Sequence, residues 1–273
     1  MSHNKIQDLL LRLEGFRYGT TLDLIMGYYH IELSAKSKEL CTSITQWSKY
    51  KYQRLPMGLC NSPDIFQDNM SELFIGLDTV RVYIDELLQV TKGSWTEHLT
   101  FLEEMFTRLQ KAGLKVNARK SCFGAHKVDY LGYHVTRDGV MPIPKKVEAI
   151  QALVFPKTRK KLRQFIGMIN FYRDMWQKRS ELLAPLTALT SKNVRYDWKD
   201  EHQKFFDAIE RVIGREVLLA YPDFNAPFEI HTYASKLQIG AVISQKGKPI
   251  AFYSRKMNSA QHNYTTTEKE LLP

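Results

Sequence analysis

Three carboxylates give the first chemical hint in this 273-residue sequence: Asp23 and, far downstream, the adjacent pair Asp85 and Glu86. Thr20 to Leu24 reads as a short strand with Asp23 near its end. Val80 to Thr91 is apolar and β-branched on both sides of the acidic pair, which predicts two strands joined by a tight turn that lifts both carboxylates out of the sheet. Two adjacent strands would bring the three side chains together. Clustered carboxylates repel unless a divalent cation lies between them, and two magnesium ions about 4 Å apart are the usual means of in-line phosphoryl or nucleotidyl transfer. An acidic pair at a hairpin also serves as a plain turn device, and the pattern alone leaves both readings open.

The elements that must position these groups alternate without a fixed repeat. His30, Ile31, Glu32 and Leu33 alternate polar with apolar, as a half-buried strand does. Asn61-Ser62-Pro63-Asp64 predicts a helix start with Ser62 as N-cap and Pro63 at the first helical position, and Phe66, Met70, Leu73 and Phe74 share one face. Pro56 and Gly58 form the turn before it. Leu99, Leu102, Met105, Phe106 and Leu109 form a second helical stripe, closed by Gly113. Strands are expected at Leu114 to Asn117 and Val128 to Val135. Residues 144 to about 214 read as helical, and strands return at Phe228 to Ile230, Ile239 to Ser244 and Ile250 to Tyr253. Thr267 and Glu270 form a capping box for a last helix, which the end of the sequence at Pro273 would cut short. The fold class is α+β, in three regions: 1–143, 144–220 and 221–273.

Composition narrows the function classes. Hydrophobic residues are 44% and charged residues 25% of the chain, so it is expected to fold rather than remain disordered. No apolar run approaches the roughly 18 residues a bilayer span needs, and the start lacks a secretory stretch, which predicts an intracellular protein, cytoplasmic or nuclear, with no membrane partner. Cys41, Cys60 and Cys122 are odd in number without C-x-x-C spacing, which argues against a disulfide framework and a structural zinc site. His126 and His134 fit no familiar ligand spacing with Cys122. The formal charge is +10, and residues 144–215 hold 16 Lys+Arg against 8 Asp+Glu. There Arg159, Lys160, Lys161 and Arg163 open a helix whose face is Leu162, Phe165, Ile166 and Ile169. Such a helix could lie along phosphates, or its basic residues could form an ordinary solvated face.

Ordered motifs add a resemblance. Leu22-Asp23-Leu24-Ile25-Met26-Gly27-Tyr28, then Leu55-Pro56-Met57-Gly58-Leu59 with Asn61-Ser62-Pro63 and Phe66-Gln67, then Tyr83-Ile84-Asp85-Glu86, resemble the successive palm motifs of reverse transcriptases. Gly113-Leu114-Lys115-Val116-Asn117, Lys120-Ser121-Cys122-Phe123, Tyr130-Leu131-Gly132 and the stretch from Lys146-Val147-Glu148-Ala149-Ile150 to Phe171-Tyr172-Arg173 look like the gypsy class of LTR retrotransposon polyproteins. The resemblance covers nearly the whole chain. It implies an antiparallel palm with partial fingers over 1–143, a helical thumb or connection over 144–220, and the first part of a ribonuclease H-like α/β domain over 221–273.

By that resemblance the chain is an RNA-directed DNA polymerase fragment, with an RNA or DNA template-primer and dNTPs as partners and Mg²⁺, or alternatively Mn²⁺, as cofactor. Other parts of a polyprotein would be further partners. One ion would activate the primer hydroxyl and the other would hold the triphosphate. Asp23 and Asp85 would bind metal, with Glu86 where the family has a second Asp. Tyr28 would lie beneath the nucleotide sugar and gate against a ribose 2′-OH, and Met57 would lie near the incoming nucleotide. Leu131, Gly132 and Tyr133 would grip the primer end. The alternative readings are half-buried aromatics for Tyr28 and Tyr133 and core filler for Met57.

The departures from the family pattern have consequences. Glu86 adds a methylene, moving its oxygens by about 1 Å in chemistry where such a misplacement costs on the order of 100-fold. The sequence begins at a point corresponding to Ile6-Gln7-Asp8-Leu9-Leu10, after the family's basic fingers strand, so impaired nucleotide addition is expected. In the third region the family's T-D-A-S reads Thr232-Tyr233-Ala234-Ser235, and a phenol is no substitute for a carboxylate at magnesium. Glu270 matches that site's second acidic position. Ribonuclease H activity is therefore expected to be absent, and the alternative to a polymerase is a catalytically silent, nucleic-acid-binding remnant of a retroelement.

Overall fold

The computed structural model describes residues 9, 10, 13–215, 217–235, 238–258 and 260–270, with the side chains of His262, Thr266 and Glu270 outside that description. Residues 6–8, where the family resemblance begins, also lie outside it. The elements in chain order are β1 (Tyr18–Ile25), α1 (Ala35–Leu40), β2 (Thr42–Ile44), β3 (Lys49–Lys51), α2 (Ser62–Leu73), β4 (Val80–Tyr83), β5 (Glu86–Thr91) and α3 (Trp95–Lys111). Then follow β6 (Lys115–Val116), β7 (Cys122–Ala125), β8 (Lys127–Tyr130), β9 (Tyr133–Thr136), β10 (Gly139–Pro142), α4 (Pro144–Gln151), α5 (Arg159–Asn170), α6 (Arg179–Ala188) and α7 (Asp200–Ile213). Last come β11 (Leu219–Ala220), β12 (Glu229–Ala234), β13 (Gln238–Gln245), β14 (Lys248–Lys256) and α8 (Thr266–Glu270). The chain divides into two compact units, Met1–Leu131 with Val135–Arg137, and Gly132–His134 with Asp138–Pro273.

The first unit is built on a sheet of order β4-β5-β1-β6, with β7 also pairing with β1. Leu22 and Leu24 of β1, Val80 and Val82 of β4 and Leu87 of β5 pack with Phe66 and Met70 of α2 and Leu102, Met105 and Leu109 of α3. Each such fully buried side chain contributes about 1.5–3 kcal/mol. Because side chains alternate along a strand, burying Leu22 and Leu24 turns Asp23 to the opposite face. β5 is buried along nearly its whole length, as befits a central strand. α3 starts at the cap Ser94, whose hydroxyl accepts from Glu97 N at 3.2 Å. It ends with Gly113 N on Gln110 O at 3.0 Å and Leu114 N on Leu109 O at 2.9 Å, Gly113 having φ +71°. That pair of bonds is a Schellman stop, which the left-handed glycine permits.

In the second unit, Leu162, Phe165 and Ile169 of α5 bury with Leu183 and Leu186 of α6 and Phe206, Ile209 and Ile213 of α7, and the Phe165 and Phe206 rings lie 4.7 Å apart. β10 pairs antiparallel with β11, and β12-β13-β14 form a separate antiparallel sheet.

Three local expectations need correction. Of the strand expected at His30 to Leu33, His30 closes a short 3-10 helix (Gly27–His30), and the pairing shrinks to an isolated antiparallel bridge between Glu32 and Arg54. Met26 at φ 52° turns the chain there, and Gly27 lies so close to Phe66 that a Cβ would stand 2.5 Å from Cζ of that ring. Ser62 is the first residue of α2 rather than its cap; its hydroxyl instead donates to Pro56 O at 2.8 Å and fixes the preceding turn. The capping box of α8 is Thr265 with Glu268, whose oxygen accepts from Thr265 N at 2.8 Å, two residues earlier than the sequence pattern indicates.

Candidate active site

β1 and β5 run antiparallel in a register that sets Asp23 opposite Glu86. Leu24 N donates to Asp85 O at 2.9 Å, so the main chains carrying the three carboxylates are hydrogen-bonded neighbours. β4 and β5 form the expected hairpin, with Tyr83 opposite Glu86 and only Ile84 and Asp85 between the strands. Ile84 has φ 52°, an unusual state for a β-branched residue. Gln67 of α2 braces this turn: its Oε1 accepts from Ile84 N at 2.7 Å, and its Nε2 donates to Val82 O at 3.3 Å.

Asp23 is held from the other side by residues 117–121. Asn117 N donates to Asp23 O at 2.8 Å, Asp23 N to Ser121 Oγ at 3.4 Å, and Lys120 Nζ lies 3.3 Å from Asp23 Oδ2. Glu86 points elsewhere: its Oε2 accepts from Leu131 N at 3.3 Å. Among the described residues no three His, Cys, Asp or Glu side chains gather into a metal-holding group. The Lys120 ammonium stands on Asp23 as a cation would, and the carboxylate oxygens at this site are the hard donors magnesium prefers.

Tyr28 packs on Phe66, with ring centroids 5.3 Å apart. Burial and then the negative field of Asp85 raise its phenol pKa, which ties Tyr28 to the same site. Met57 is 56% exposed and fills no core. Leu131 and Gly132, with φ 49° and 83°, make the turn between β8 and β9. Tyr133 stacks on Phe171 at 5.3 Å, and its pKa is pushed up to about 12, first by burial and then by Asp174. Tyr172 donates to Gly132 O at 2.9 Å.

The basic run divides in two. Arg159 donates to Leu189 O at 3.3 Å and to Val194 O, and Arg163 donates to Thr190 O at 2.5 Å. Both thus cap carbonyls at and beyond the end of α6, where cations are favoured. Lys160 and Lys161 are exposed. Tyr233 on β12 lies across Gly240 on β13, and its hydroxyl accepts from Lys178 N at 3.2 Å. Glu270 is the last residue of α8, and its side chain lies outside the described residues.

Comparison with known proteins bears on this geometry. Residues 2–135 match the family described as reverse transcriptase (RNA-dependent DNA polymerase), and residues 198–273 match the RNase H-like domain found in reverse transcriptase. The chain belongs to the reverse transcriptase family. This reverse transcriptase chain is 36% identical over 270 residues to the retrovirus-related Pol polyprotein from transposon 297 of Drosophila melanogaster, covering 98% of the chain and 25% of the polyprotein. It is 32% identical to that from transposon gypsy of the same organism, covering 97% and 27%. The chain therefore spans about a quarter of the length of these relatives. Among solved structures, the foamy viral protease-reverse transcriptase in complex with RNA/DNA hybrid superposes with TM-score 0.91 at 27% identity, covering 99% of this chain and 37% of that one. The sheet of the first unit is a reverse transcriptase palm, and β12-β13-β14 belong to a ribonuclease H-like piece.

Two side chains of this site carry no local signature: Gln67 and Lys120 lie within motifs visible in the sequence, yet only the folded chain shows what each touches.

Proposed function

We propose that this chain is the RNA-directed DNA polymerase portion of a retrotransposon Pol polyprotein, extending a primer on an RNA or DNA template with dNTPs. The register that sets Asp23 beside the Asp85-Glu86 strand start is the observation that carries this reading. Asp23 and Asp85 would hold Mg²⁺ or Mn²⁺, with Glu86 beside them. Bound divalent ions would lower the pKa of the primer 3′-hydroxyl and neutralise charge on the phosphates. Tyr28, neutral throughout the working pH range, would lie under the sugar and reject a 2′-OH by contact. Met57 would border the incoming nucleotide, while Leu131, Gly132 and Tyr133 would bear on the primer end.

In this reading residues 1–143 are palm with partial fingers, 144–220 the thumb or connection, and 221–273 the start of a ribonuclease H-like domain. Lys160 and Lys161 are exposed and would contribute salt-dependent contacts to the hybrid. Primer extension on an RNA template with Mg²⁺ or Mn²⁺ tests the reading. Incorporation should be lost in Asp23→Asn and Asp85→Asn while hybrid binding is retained. Incorporation that survives both substitutions would overturn the assignment.

A further inference from the structure

We propose that Glu86 is a positioning residue that holds the Leu131 main-chain N–H, and so the turn on which the primer end would rest, rather than a third metal ligand. The inference rests on the polymerase reading above and goes beyond it in giving the third acidic residue a different role from the two aspartates.

Three features of the structure support it. The carboxylate of Glu86 is already engaged, accepting from Leu131 N at 3.3 Å, and a hydrogen bond to an ionised acceptor is the stronger kind. Leu131 needs that partner. It is a buried leucine at φ 49°, a left-handed state that L residues adopt at a cost and keep only where their surroundings fix them. An unpaired amide at a buried residue would add a further penalty. Lastly, the length of the side chain matches the distance to be bridged, since an aspartate at this position would carry its oxygens about 1 Å less far along the chain. The buried phenol of neighbouring Tyr130 is raised first by burial and then by the negative charge of Glu86. The methylene that looks like a defect in a metal ligand is, on this account, what lets the side chain reach Leu131.

The test compares Glu86→Gln, which keeps an acceptor oxygen at the same reach and removes the charge, with Glu86→Asp, which keeps the charge and withdraws the reach. Two measurements are made on the whole chain: exchange of the Leu131 amide proton, and steady-state primer extension with the template-primer and Mg²⁺ varied separately. As a positioning residue, Glu86→Gln keeps Leu131 protected, holds kcat/KM for template-primer within ~3-fold and leaves the Mg²⁺ requirement unchanged. Glu86→Asp exposes the Leu131 amide and lowers that kcat/KM by ~10-fold or more, the size expected for a lost charge-assisted bond. A metal ligand gives the reverse: Glu86→Asp at or above the parent, and Glu86→Gln down by ~100-fold with a raised Mg²⁺ requirement. That reverse pattern overturns the proposal. If the unsubstituted chain extends no primer with either metal, the polymerase reading fails by itself, and amide exchange alone decides the role of Glu86: equal Leu131 protection in both variants overturns it.

Discussion

Asp23 and Glu86 face each other across the β1–β5 ladder, yet their carboxylates are used differently, Asp23 meeting the Lys120 ammonium and Glu86 the Leu131 amide. Backbone pairing fixes only where two side chains start. Length and neighbours decide where the charges end, and one extra methylene suffices to separate two acids that a sequence pattern groups together.

The Lys120–Asp23 contact leads to a metal-dependence prediction. The pair is partly solvated, with side-chain exposures of 66% and 25%, so it contributes no more than about 1 kcal/mol to stability. It does, however, compete for the oxygen a divalent ion needs. Lys120→Met should lower the Mg²⁺ concentration that half-saturates primer extension by ~3-fold or more, with Tm nearly unchanged. A magnesium titration that superimposes on the parent's would remove Lys120 from the site.

Gln67 should matter more to turnover than to substrate binding. Its two bonds hold the turn that presents Asp85, and Ile84 keeps its left-handed φ within that turn. Gln67→Ala should lower kcat by ~10–100-fold, the scale of a small misplacement of a reacting group, and leave the hybrid Kd within ~2-fold. Parallel loss of hybrid binding would mean that Gln67 supports the whole palm rather than the turn.

Much of the palm is legible in sequence because its cause is local. The alternation Leu22-Asp23-Leu24 sets which face Asp23 takes, and Gly113 stops α3 where a left-handed residue is needed. His30 to Leu33 is legible only in part: Glu32 does bridge Arg54 antiparallel, but His30 falls in a 3-10 helix beside Gly27, whose close approach to Phe66 is a contact between residues far apart in the chain. Gln67, Lys120 and Tyr233 have the same origin: each role lies in a partner 17, 97 or 55 residues away. Arg159 and Arg163 show the converse, since a basic run looks the same in sequence whether its guanidiniums meet phosphates or the carbonyls of residues 189–194.

A buried histidine gives the first unit an acid limb. His98 is fully buried, with Thr20 Oγ1 at 2.8 Å from Nε2 and Thr91 Oγ1 at 2.8 Å from Nδ1, and burial lowers its pKa below the ordinary value. The unfolded chain takes up a proton below about pH 6.5 while the folded chain resists. The stability from His98 is therefore complete above that pH and is lost as pH falls through the lower folded value. Tm of the chain should drop between pH 7.5 and 5.5, and the drop should shrink in His98→Gln. An equal drop in both proteins would assign the acid sensitivity to other groups.

Tyr233 provides the last prediction, on the ribonuclease H-like piece. Its hydroxyl accepts from Lys178 N, just ahead of α6; Ser254 Oγ accepts from Ser180 N at 3.0 Å, and Gln238 Oε1 from Glu181 N at 2.9 Å. One side chain from each of β12, β13 and β14 thus takes an amide at the start of α6, the Glu181 amide being shared with Lys178 O. Tyr233→Phe should cost about 0.5–1.5 kcal/mol, the worth of one such bond. Tyr233→Asp should cost more, because the ring that covers Gly240 goes as well, and it should not confer hybrid cleavage. A labelled RNA/DNA hybrid incubated with the unsubstituted chain and both variants in Mg²⁺, alongside urea unfolding of each, checks both halves. Cleavage by Tyr233→Asp would show that the site still lacks only its first carboxylate, and an unchanged unfolding midpoint in Tyr233→Phe would remove the hydroxyl from the docking of α6.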